Sequence, residues 1–328
     1  MPLFGGSEKS KDKPVRLFYA TDVHSSDRVF TKFLNAADHY KVDALVLGGD
    51  LTGKFVAPLI HRNDGTVFSD FLGYQRSVKS ETEIHNLEDE IRTAGYYCFH
   101  IDQKEYDAMK DDRTKIDGMF DKLMLETLQG WVDTAEKRLS KSGVKCFVTG
   151  GNDDPFHIDE YMRSISTEHV LYAEGKIVDV CGYPMAASGY SNMTPWKLPR
   201  DLDEDQLYVK LEELVSPMHD YSKAIFCIHV PPYDTGMDVA IYLDKDLKYK
   251  SYGQPLEGPV GSHAVSKLID KYQPLVTLHG HIHESRCFYK WKRTMCFNPG
   301  SEYSEGIMRG LILILKGPKM EAYQFTSG

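Results

Sequence analysis

Short apolar segments that end abruptly in polar residues constrain this chain more than any other feature of its sequence. Five of them matter most, and they cover residues 15–21, 44–47, 146–149, 224–228 and 275–278. Runs of this length and composition are typical of buried parallel strands. Since the carboxyl ends of parallel strands meet at one edge of a sheet, the polar residues that follow these runs are expected to lie close together.

The spacing of apolar residues predicts amphipathic helices between the strands. One stripe recurs at i, i+3, i+4 and i+7, through Phe30, Phe33, Leu34 and Ala37. With the first two strands, this helix makes a βαβ unit. A similar stripe precedes the fifth strand, through Val265, Leu268, Ile269 and Tyr272. Apolar runs within 176–188 and 310–325 surround turn residues and predict two hairpins, which favours a mixed sheet, or two sheets, over a purely parallel one.

The length of 328 residues fits one α/β domain with insertions or two smaller domains. Residues 1–14 are predicted to form a polar tail. Asp50 and Asn152 are 102 positions apart in the numbering, which is too far for an ordinary crossover. Residues 55–140 are therefore interpreted as a cap or lid that interrupts a domain over 15–328 and partly covers the site. Within this insertion we predict a hairpin around residues 62–65, a strand over 96–101 and a long helix over 120–139.

Composition and charge disfavour several classes of protein. No apolar run approaches the ~20 residues needed to span a bilayer, and the first residues lack the apolar core of a signal peptide. The six cysteines form no CxxC pair, which favours a reducing compartment, so we expect a soluble cytoplasmic protein. The formal net charge of -9, from 39 Lys and Arg against 48 Asp and Glu, provides no basic face for nucleic acid. Oligomeric state leaves no mark in the sequence.

Each of the five strands is followed by side chains that can bind metal ions. They are, in order, Asp22, His24, Asp50, Asn152, His229, His281 and His283. The i, i+2 spacing of Asp22 and His24 would point both side chains to one side of an extended backbone. Seven ligands exceed the needs of one ion, and their mixed chemistry suits two divalent ions of manganese, iron, zinc or cobalt. Two such ions carry about +4 against -2 from the two aspartates, so an anionic substrate is expected.

These ordered blocks resemble those of the calcineurin-like metallophosphoesterases, a superfamily that includes Ser/Thr protein phosphatases, purple acid phosphatases and cyclic-nucleotide phosphodiesterases. The matching blocks are Asp22-Val-His24, Gly48-Gly49-Asp50, Gly151-Asn152-Asp153-Asp154, His229 and Gly280-His281-Ile282-His283. The resemblance covers about residues 15–54 and 144–328 and leaves the insertion unmatched. It implies an α/β fold of two packed mixed β-sheets flanked by helices, a four-layer sandwich, here with an inserted cap.

The resemblance also implies a reaction and a role for each ligand. Asp22, His24 and His283 would hold one metal ion, Asn152, His229 and His281 would hold the second, and Asp50 would bridge the two. The metals would activate a bridging hydroxide that attacks phosphorus in line with the leaving oxygen. The implied activity is metal-dependent hydrolysis of a small phosphate ester. Residues 298–301 resemble the family's turn into its final strands.

One position departs from the family pattern. Members with a GNHD or GNHE block use that histidine as general acid or phosphate contact, and Asp153 stands there in this chain. Two nearby divalent cations would lower the pKa of this carboxyl and make it a poor proton donor. A diester or an activated ester is therefore expected to react better than an ordinary monoester. His61 and His157 are candidates to replace the missing imidazole, and Asp154 is left without a role.

Two other functions stay open. A scaffold that keeps the fold without turnover is disfavoured, because such proteins tend to lose ligands and all seven are present here. A nuclease is disfavoured by the acidic balance and by the lack of a basic, aromatic-rich run. His279 is interpreted as a hydrogen-bonded core residue and Trp131 as core packing. Residues 189–196 are expected either near the site or on the remote surface.

Overall fold

The computed structural model describes residues 13–243, 248 and 255–328, so residues 1–12 of the predicted polar tail lie outside the described residues. The strands are β1 (Val15–Thr21), β2 (Ala44–Gly48), β3 (Val56–His61), β4 (Val67–Phe71), β5 (Tyr74–Val78), β6 (Tyr97–Asp102), β7 (Lys145–Val148), β8 (Val170–Tyr172), β9 (Lys176–Val180), β10 (Tyr183–Ser188), β11 (Ser191–Asn192), β12 (Asp201–Leu202), β13 (Ile225–Ile228), β14 (Val239–Ile241), β15 (Glu257–Pro259), β16 (Val276–Leu278), β17 (Cys287–Trp291), β18 (Thr294–Asn298), β19 (Arg309–Lys316) and β20 (Lys319–Ser327). The α-helices are α1 (Asp27–Tyr40), α2 (Glu81–Thr93), α3 (Gln103–Met109), α4 (Arg113–Leu139), α5 (His157–Ile165), α6 (Glu204–Val215) and α7 (His263–Tyr272).

Two six-stranded mixed sheets form the body of the fold. The first has the order β20-β19-β1-β2-β7-β8. In it β1, β2, β7 and β8 run parallel to one another, β19 is antiparallel to β1, and β20 is antiparallel to β19. The second has the order β17-β18-β16-β13-β10-β9, with four parallel strands between the antiparallel edge strands β17 and β9. Both predicted hairpins are confirmed, and each extends a different sheet.

Alternating burial along the strands explains how the layers stack. In β1, Leu17 and Tyr19 lie in the apolar core between the sheets, together with Ile225 and Leu278 of the second sheet. Phe18 points to the other face, where it packs with α1, α4 and α5. Helices α6 and α7 cover the outer face of the second sheet. The fold is thus a four-layer α/β sandwich of two packed mixed sheets flanked by helices, as predicted.

The insertion contributes elements to two places. Its strands form a separate sheet in the order β5-β4-β3-β6, and Leu59 and Ile91 lie in the small core that this sheet shares with α2. Helix α4 instead packs on the first sheet, where Trp131 stacks on Phe30 with ring centroids 4.2 Å apart. The predicted core role of Trp131 is confirmed, and part of the insertion belongs to the outer helix layer. The action of the rest as a cap stays a prediction.

Some elements of the insertion differ from those predicted. Helix α4 begins at Arg113, earlier than the predicted position 120. Helix α2 was not predicted, although Ser80 and Glu83 form a capping box at its start. Strand β5 was also missed, because nearly all of its residues are exposed and no alternation marks it.

Two observations bear on the classes of protein discussed above. In the part of the chain that the structure describes, no helix combines the length and apolar character needed to cross a membrane. All six cysteines lie in described segments and are free thiols.

Candidate metal centre

The seven candidate ligands converge where strands of both sheets end. Strands β1, β2 and β7 of the first sheet lead to Asp22, His24, Asp50 and Asn152, and strands β13 and β16 of the second lead to His229, His281 and His283. The first five of these side chains are buried, and the last two are half-buried. The predicted edge therefore exists, and it is shared by two sheets.

The backbone at four of these residues has a positive φ. The angle is 54° at Asp22, 39° at His24, 52° at Asp50 and 67° at His281. The expected extended backbone between Asp22 and His24 is therefore wrong, because the chain passes through the left-handed region there. Each such residue costs on the order of 1–3 kcal/mol, and the surroundings must hold it. Backbone hydrogen bonds do so, since the N–H groups of Asp22 and His24 donate to the carbonyls of Gly49 and Asp50 at 3.0 and 2.9 Å.

Asp22, His24, Asp50 and His283 form a compact group that is a candidate metal site. Each offers one ligand atom, and these atoms all lie within 4.8 Å of one another. The Nε2 atoms of His24 and His283 are 3.3 Å apart. His24 Nε2 lies 3.5 Å from Asp50 Oδ2, and His283 Nε2 lies 3.5 Å from Asp22 Oδ1. Atoms about 2.1 Å from one shared ion are about 3.0–3.4 Å from each other, so the spacing resembles that of a coordination shell.

The His24 ring is prepared for a metal ion by its surroundings. Its Nδ1 lies 3.3 Å from the carbonyl oxygen of Thr52 and donates to it, which leaves the Nε2 lone pair facing the group. Burial lowers the pKa of His24 to about 3, so the ring stays neutral, as metal binding requires. The ring of Tyr303 packs on that of His24 with centroids 4.5 Å apart and fixes its plane. Tyr303 was not predicted as a site residue, and nothing in its local sequence marks it.

Asn152 and His281 form the start of a second group. His281 Nδ1 lies 3.0 Å from Asn152 Oδ1, and His281 Nε2 lies 3.4 Å from Ser191 Oγ. Asn152 Oδ1 can only accept, so His281 Nδ1 donates in this contact; an ion between the two atoms would displace that proton, and Nε2 could then donate to Ser191 Oγ. Burial, assisted by the charge of His229, lowers the pKa of His281 to about 4 and favours this neutral form. With an ion bound there, both residues would present a lone pair to the same space.

Asp50 lies between the two groups, and His229 completes the second. Asp50 Oδ2 faces His24, whereas Asp50 Oδ1 lies 3.4 Å from His229 Nε2. Neither ring nitrogen of the buried His229 makes a hydrogen bond to any residue in the described ranges. Burial opposes a charged His229 ring, but Asp50 outweighs it and raises the pKa of His229 to about 9. A divalent ion at Nε2 would displace the proton of this ring and accept its lone pair beside Asp50, so the donor set fits such an ion.

Close approach of the loops explains two glycines of the predicted blocks. A Cβ at Gly151 would lie 2.1 Å from both the amide nitrogen and Oδ1 of Asp50, and one at Gly280 would lie 2.3 Å from Asp22 Oδ2. Neither glycine has a positive φ, so space is what requires them. Side chains at these positions would occupy the volume that the ligands need.

Asp153 and Lys54 form an ion pair beside this centre, with Lys54 Nζ 2.5 Å from Asp153 Oδ2. In the protein alone, burial and then repulsion from Asp50 raise the pKa of Asp153 to about 6. The lowered pKa expected from the sequence presupposes bound cations and stays a prediction. Burial opposes the charge on Lys54, but Asp153 outweighs it and raises the Lys54 pKa. Lys54 was not predicted, because an isolated ammonium group carries no pattern in the sequence and only folding brings it to Asp153.

Asp154 ties two of the ligand loops together. Its buried carboxylate accepts hydrogen bonds from the backbone N–H groups of Leu51, Thr52 and Gly151 at 3.0, 2.9 and 2.8 Å. The loop after β2, which carries Asp50, is thereby held to the loop after β7. Asp154 thus positions other residues and lies outside the candidate ligand set.

The histidines outside the ligand set have separate surroundings. His61 and His157 are exposed and do not line the cleft, so the idea that either replaces the missing imidazole is wrong. His61 contacts His100 at 2.8 Å on the insertion, and the nearest acid to His157 is Asp121 at 3.8 Å. His279 is fully buried and bonded to two carbonyls and a hydroxyl, which confirms its core role.

Four of the seven candidate ligands, Asp50, Asn152, His281 and His283, line a cleft of about 750 Å³. Residues 192–196 line it, so the segment 189–196 lies near the site. Asn298, in the predicted turn at 298–301, donates to the carbonyls of Gly280 and Ile282 and supports the histidine loop. Asp201 was not predicted. Its Oδ1 accepts a hydrogen bond from Asn152 Nδ2 at 2.9 Å and so directs Asn152 Oδ1 toward the second group.

Comparison with known sequences gives a partial match. No family model matches the chain. The uncharacterized protein MJ1162 of Methanocaldococcus jannaschii is 31% identical over 152 residues, which are 45% of this chain and 61% of that protein. The matched region therefore spans less than two thirds of the relative.

Solved structures share the architecture over nearly the whole chain. One crystal structure has a TM-score of 0.55 at 15% identity and covers 96% of this chain and 98% of its own. The crystal structure of TT1561 from Thermus thermophilus has a TM-score of 0.51 at 14% identity, over 96% and 99%. A structure described as a novel archaeal phosphodiesterase has a TM-score of 0.39 at 10% identity, over 96% and 100%, which is too low to support a conclusion about this chain. The chain thus shares its fold with the first two of these structures, and its candidate metal ligands lie at the ends of the strands of that fold.

Proposed function

We propose that this protein is a binuclear metal-dependent phosphoesterase that hydrolyses a small phosphate ester, with a diester or activated ester preferred over an ordinary monoester. Asp50 carries the proposal, because its two carboxylate oxygens face His24 on one side and His229 on the other. A carboxylate between two sets of ligand atoms is suited to bridge two ions. The domain would span residues 15–328 and act in the cytoplasm.

Each half of the site has its own ligands in this proposal. The first ion would be held by Asp22, His24, Asp50 and His283, and the second by Asp50, Asn152, His229 and His281. Manganese, iron, zinc or cobalt ions would supply a nucleophilic hydroxide at neutral pH and positive charge for the phosphoryl oxygens. The mixed oxygen and nitrogen ligands accept any of these four metals.

Residues of the chain itself would bind the phosphoryl group. Among the described residues that line the cleft, Lys54 is the one lysine or arginine, and it shares the cleft with Asp50 and Asn152. Asp153 holds its ammonium group at 2.5 Å, so the charge is positioned before the substrate arrives. Asp153 would act in catalysis through this contact, in place of the family's histidine.

The absence of a spare imidazole supports the preference for activated or diester substrates. In the described lining of the cleft, the two imidazoles are those of His281 and His283, and both belong to the ligand set. A leaving alkoxide of high pKa needs a proton, whereas an aryl oxide departs without one. Replacement of Asp153 by histidine is therefore expected to raise turnover of monoesters relative to the parent.

Hydrolysis of bis-p-nitrophenyl phosphate and of p-nitrophenyl phosphate by the purified protein with manganese would test the proposal. Chelator-sensitive turnover that favours the diester is expected, and Asp50→Asn should abolish it. Asp111→Asn, an exposed position outside the cleft, is the matched control and should retain activity. Turnover that survives both chelation and Asp50→Asn would show that the metal mechanism is wrong.

The alternatives have distinct signatures. A protein that binds no ion even after manganese addition, and turns over no ester, would be a scaffold of the same fold. Binding of DNA that weakens steeply with salt would favour a nuclease.

A further inference from the structure

The cleft has a lining of two chemical kinds. The phosphoryl side contains Asp50, Asn152, Asp153, His281 and His283 together with Lys54. The remaining lining is mostly apolar and includes one carboxylate, that of Glu284; its larger members are Phe55, Met193, Pro195, Trp196, Leu198, Ile241, Tyr242 and Leu243. A phosphate held at the first part would place its esterifying group against the second, because both parts line the same cleft.

Three of the apolar side chains in the cleft are more than half exposed to solvent. Phe55 is 56% exposed, Met193 is 54% exposed and Trp196 is 56% exposed. Large apolar side chains that are left exposed together in a concave site usually mark a binding surface. By contrast, the other long apolar side chain discussed above, Trp131, is buried against Phe30. Trp196 differs from apolar side chains that are exposed elsewhere, such as Leu72, because it lines one concave site together with Phe55 and Met193.

Two polar side chains in this part of the lining, Asn192 and Thr194, are already engaged, and the others are Tyr242, whose hydroxyl donates to Pro259 O at 3.5 Å, and the exposed carboxylate of Glu284. Asn192 Nδ2 donates to the carbonyls of Val260 and Gly261, both at 3.2 Å. Thr194 Oγ1 donates to Asp201 at 2.5 Å. A sugar or the edge of a base would have to break these bonds to be recognised through them, whereas an apolar group would not. The apolar part of the lining thus favours an esterifying group that needs no hydrogen bonds.

Charge limits the substrate in a second way. Lys54 is the single cationic side chain in the described lining, and it is paired with Asp153. Among the described residues, the apolar part of the lining brings no lysine or arginine that would bind another phosphate. A substrate with one phosphoryl group fits this distribution, and a polyphosphate does not.

We propose that the substrate is a phosphodiester of which one esterifying group is apolar, aryl or hydrocarbon, and lies against Trp196, Met193 and Phe55. The inference rests on the proposed phosphoesterase function and names the substrate class of that same site. Trp196 would be a specificity residue, which acts on substrate choice and takes no part in the reaction at phosphorus.

The test is a series of p-nitrophenyl phosphodiesters with a constant leaving group and a variable second group: methyl, hexyl, phenyl and 5′-thymidyl. The phenyl or hexyl ester is expected to exceed the methyl ester in kcat/KM by on the order of tenfold or more, because apolar area is buried only in the larger esters. The thymidyl ester is expected to gain no such advantage. A phenyl ester that is better than the hexyl ester would indicate an aryl substrate, and the reverse order a hydrocarbon one.

Variants locate the effect on the cleft. Trp196→Ala should lower kcat/KM for the phenyl or hexyl ester more than for the methyl ester, and Trp196→Phe should restore part of the difference. Phe288→Ala, which removes an exposed aromatic side chain outside the cleft, is the matched control and should keep the parent's ratio. An equal loss for every ester in Trp196→Ala, or a thymidyl ester that exceeds the others, would overturn the apolar subsite.

Failure of the subsite and failure of the proposed function are distinguishable. Turnover of all four diesters at similar rates would retain the phosphoesterase and reject the subsite. If no ester is hydrolysed, the phosphoesterase proposal fails. The affinities for phenylphosphonate and methylphosphonate, measured by tryptophan fluorescence, still test the apolar part of the lining. Equal affinity for these two phosphonates would reject the subsite in that case as well.

Discussion

Replacement of Asp201 by asparagine should weaken the second metal position and spare the first. Asp201 Oδ2 accepts three hydrogen bonds, from Thr194 N at 3.0 Å, Thr194 Oγ1 at 2.5 Å and Leu198 N at 2.9 Å. Its Oδ1 accepts one, from Asn152 Nδ2 at 2.9 Å. An asparagine has one oxygen, and the three donors would claim it. Its NH₂ group would then face the NH₂ group of Asn152, and the Asn152 amide would have to turn its oxygen away from His281.

The expected loss is the cost of misplacing one ligand of the second ion. Changes to residues that orient metal ligands typically lower metal affinity 10–100-fold, which is about 1.4–2.8 kcal/mol. Calorimetric titration of the metal-free protein with manganese should show that the affinity of one binding step falls by this factor and that the affinity of the other is unchanged. Asp205→Asn, at an exposed position on α6, is the matched control and should bind like the parent. If Asp201→Asn binds both ions with the parent's affinities, the amide orientation does not depend on Asp201 and the reasoning is refuted.

Three further changes test other parts of the molecule. Arg200→Leu should lower the free energy of unfolding in urea by about 3–5 kcal/mol. It removes the fully buried guanidinium, which lies 2.6 Å from Asp159, and leaves that carboxylate without its partner; a loss below about 1 kcal/mol would contradict this. Gly151→Ala should lower bound manganese, measured by elemental analysis, because the new Cβ would lie 2.1 Å from the Asp50 carboxylate; a full complement of metal would show that the loop can move aside. Hydrogen bonds from Thr167 and then His169 hold the pKa of Glu136 below its usual 4.5, so its charge stabilises the fold above that pH and the benefit disappears as pH falls through the lowered pKa. Glu136→Gln should therefore be less stable than the parent at pH 7 and equal to it in acid, and a stability difference that persists in acid would count against the assignment.

The candidate ligands could be predicted because their positions in the sequence translate directly into positions in space. His229 follows β13 at once, and Asp50 follows the glycine pair at the end of β2, so a strand prediction alone places them at the sheet edge. The backbone of Asp22 and His24 could not be predicted in this way. Its left-handed turn depends on hydrogen bonds to the loop after β2, which is a contact between segments that the spacing of residues does not encode.

Asp201 and Lys54 were missed for a related physical reason. Each acts on the site through a residue that folding brings close. Asp201 acts through Asn152, which is 49 residues away in the chain, and Lys54 is paired with Asp153. An isolated carboxylate or ammonium group carries no periodic signal. Helix α2 is different, since its capping box and its apolar residues Ile84, Leu87 and Ile91 were readable in the sequence. Helix α2 could therefore have been predicted from the sequence, whereas the roles of Asp201 and Lys54 required the three-dimensional structure.

The division of the ligands between the two sheets has a consequence for assembly. An ion in contact with Asp50 and His229 touches both halves of the sandwich, and neither half alone supplies the full set of ligands. The sheets meet through side chains such as Tyr19 and Phe297, far from solvent. A chain whose sheets settle out of alignment would have no place for the ion. Metal retained after purification would thus report on folding, because it would be present in molecules whose two sheets are correctly packed and absent from the others.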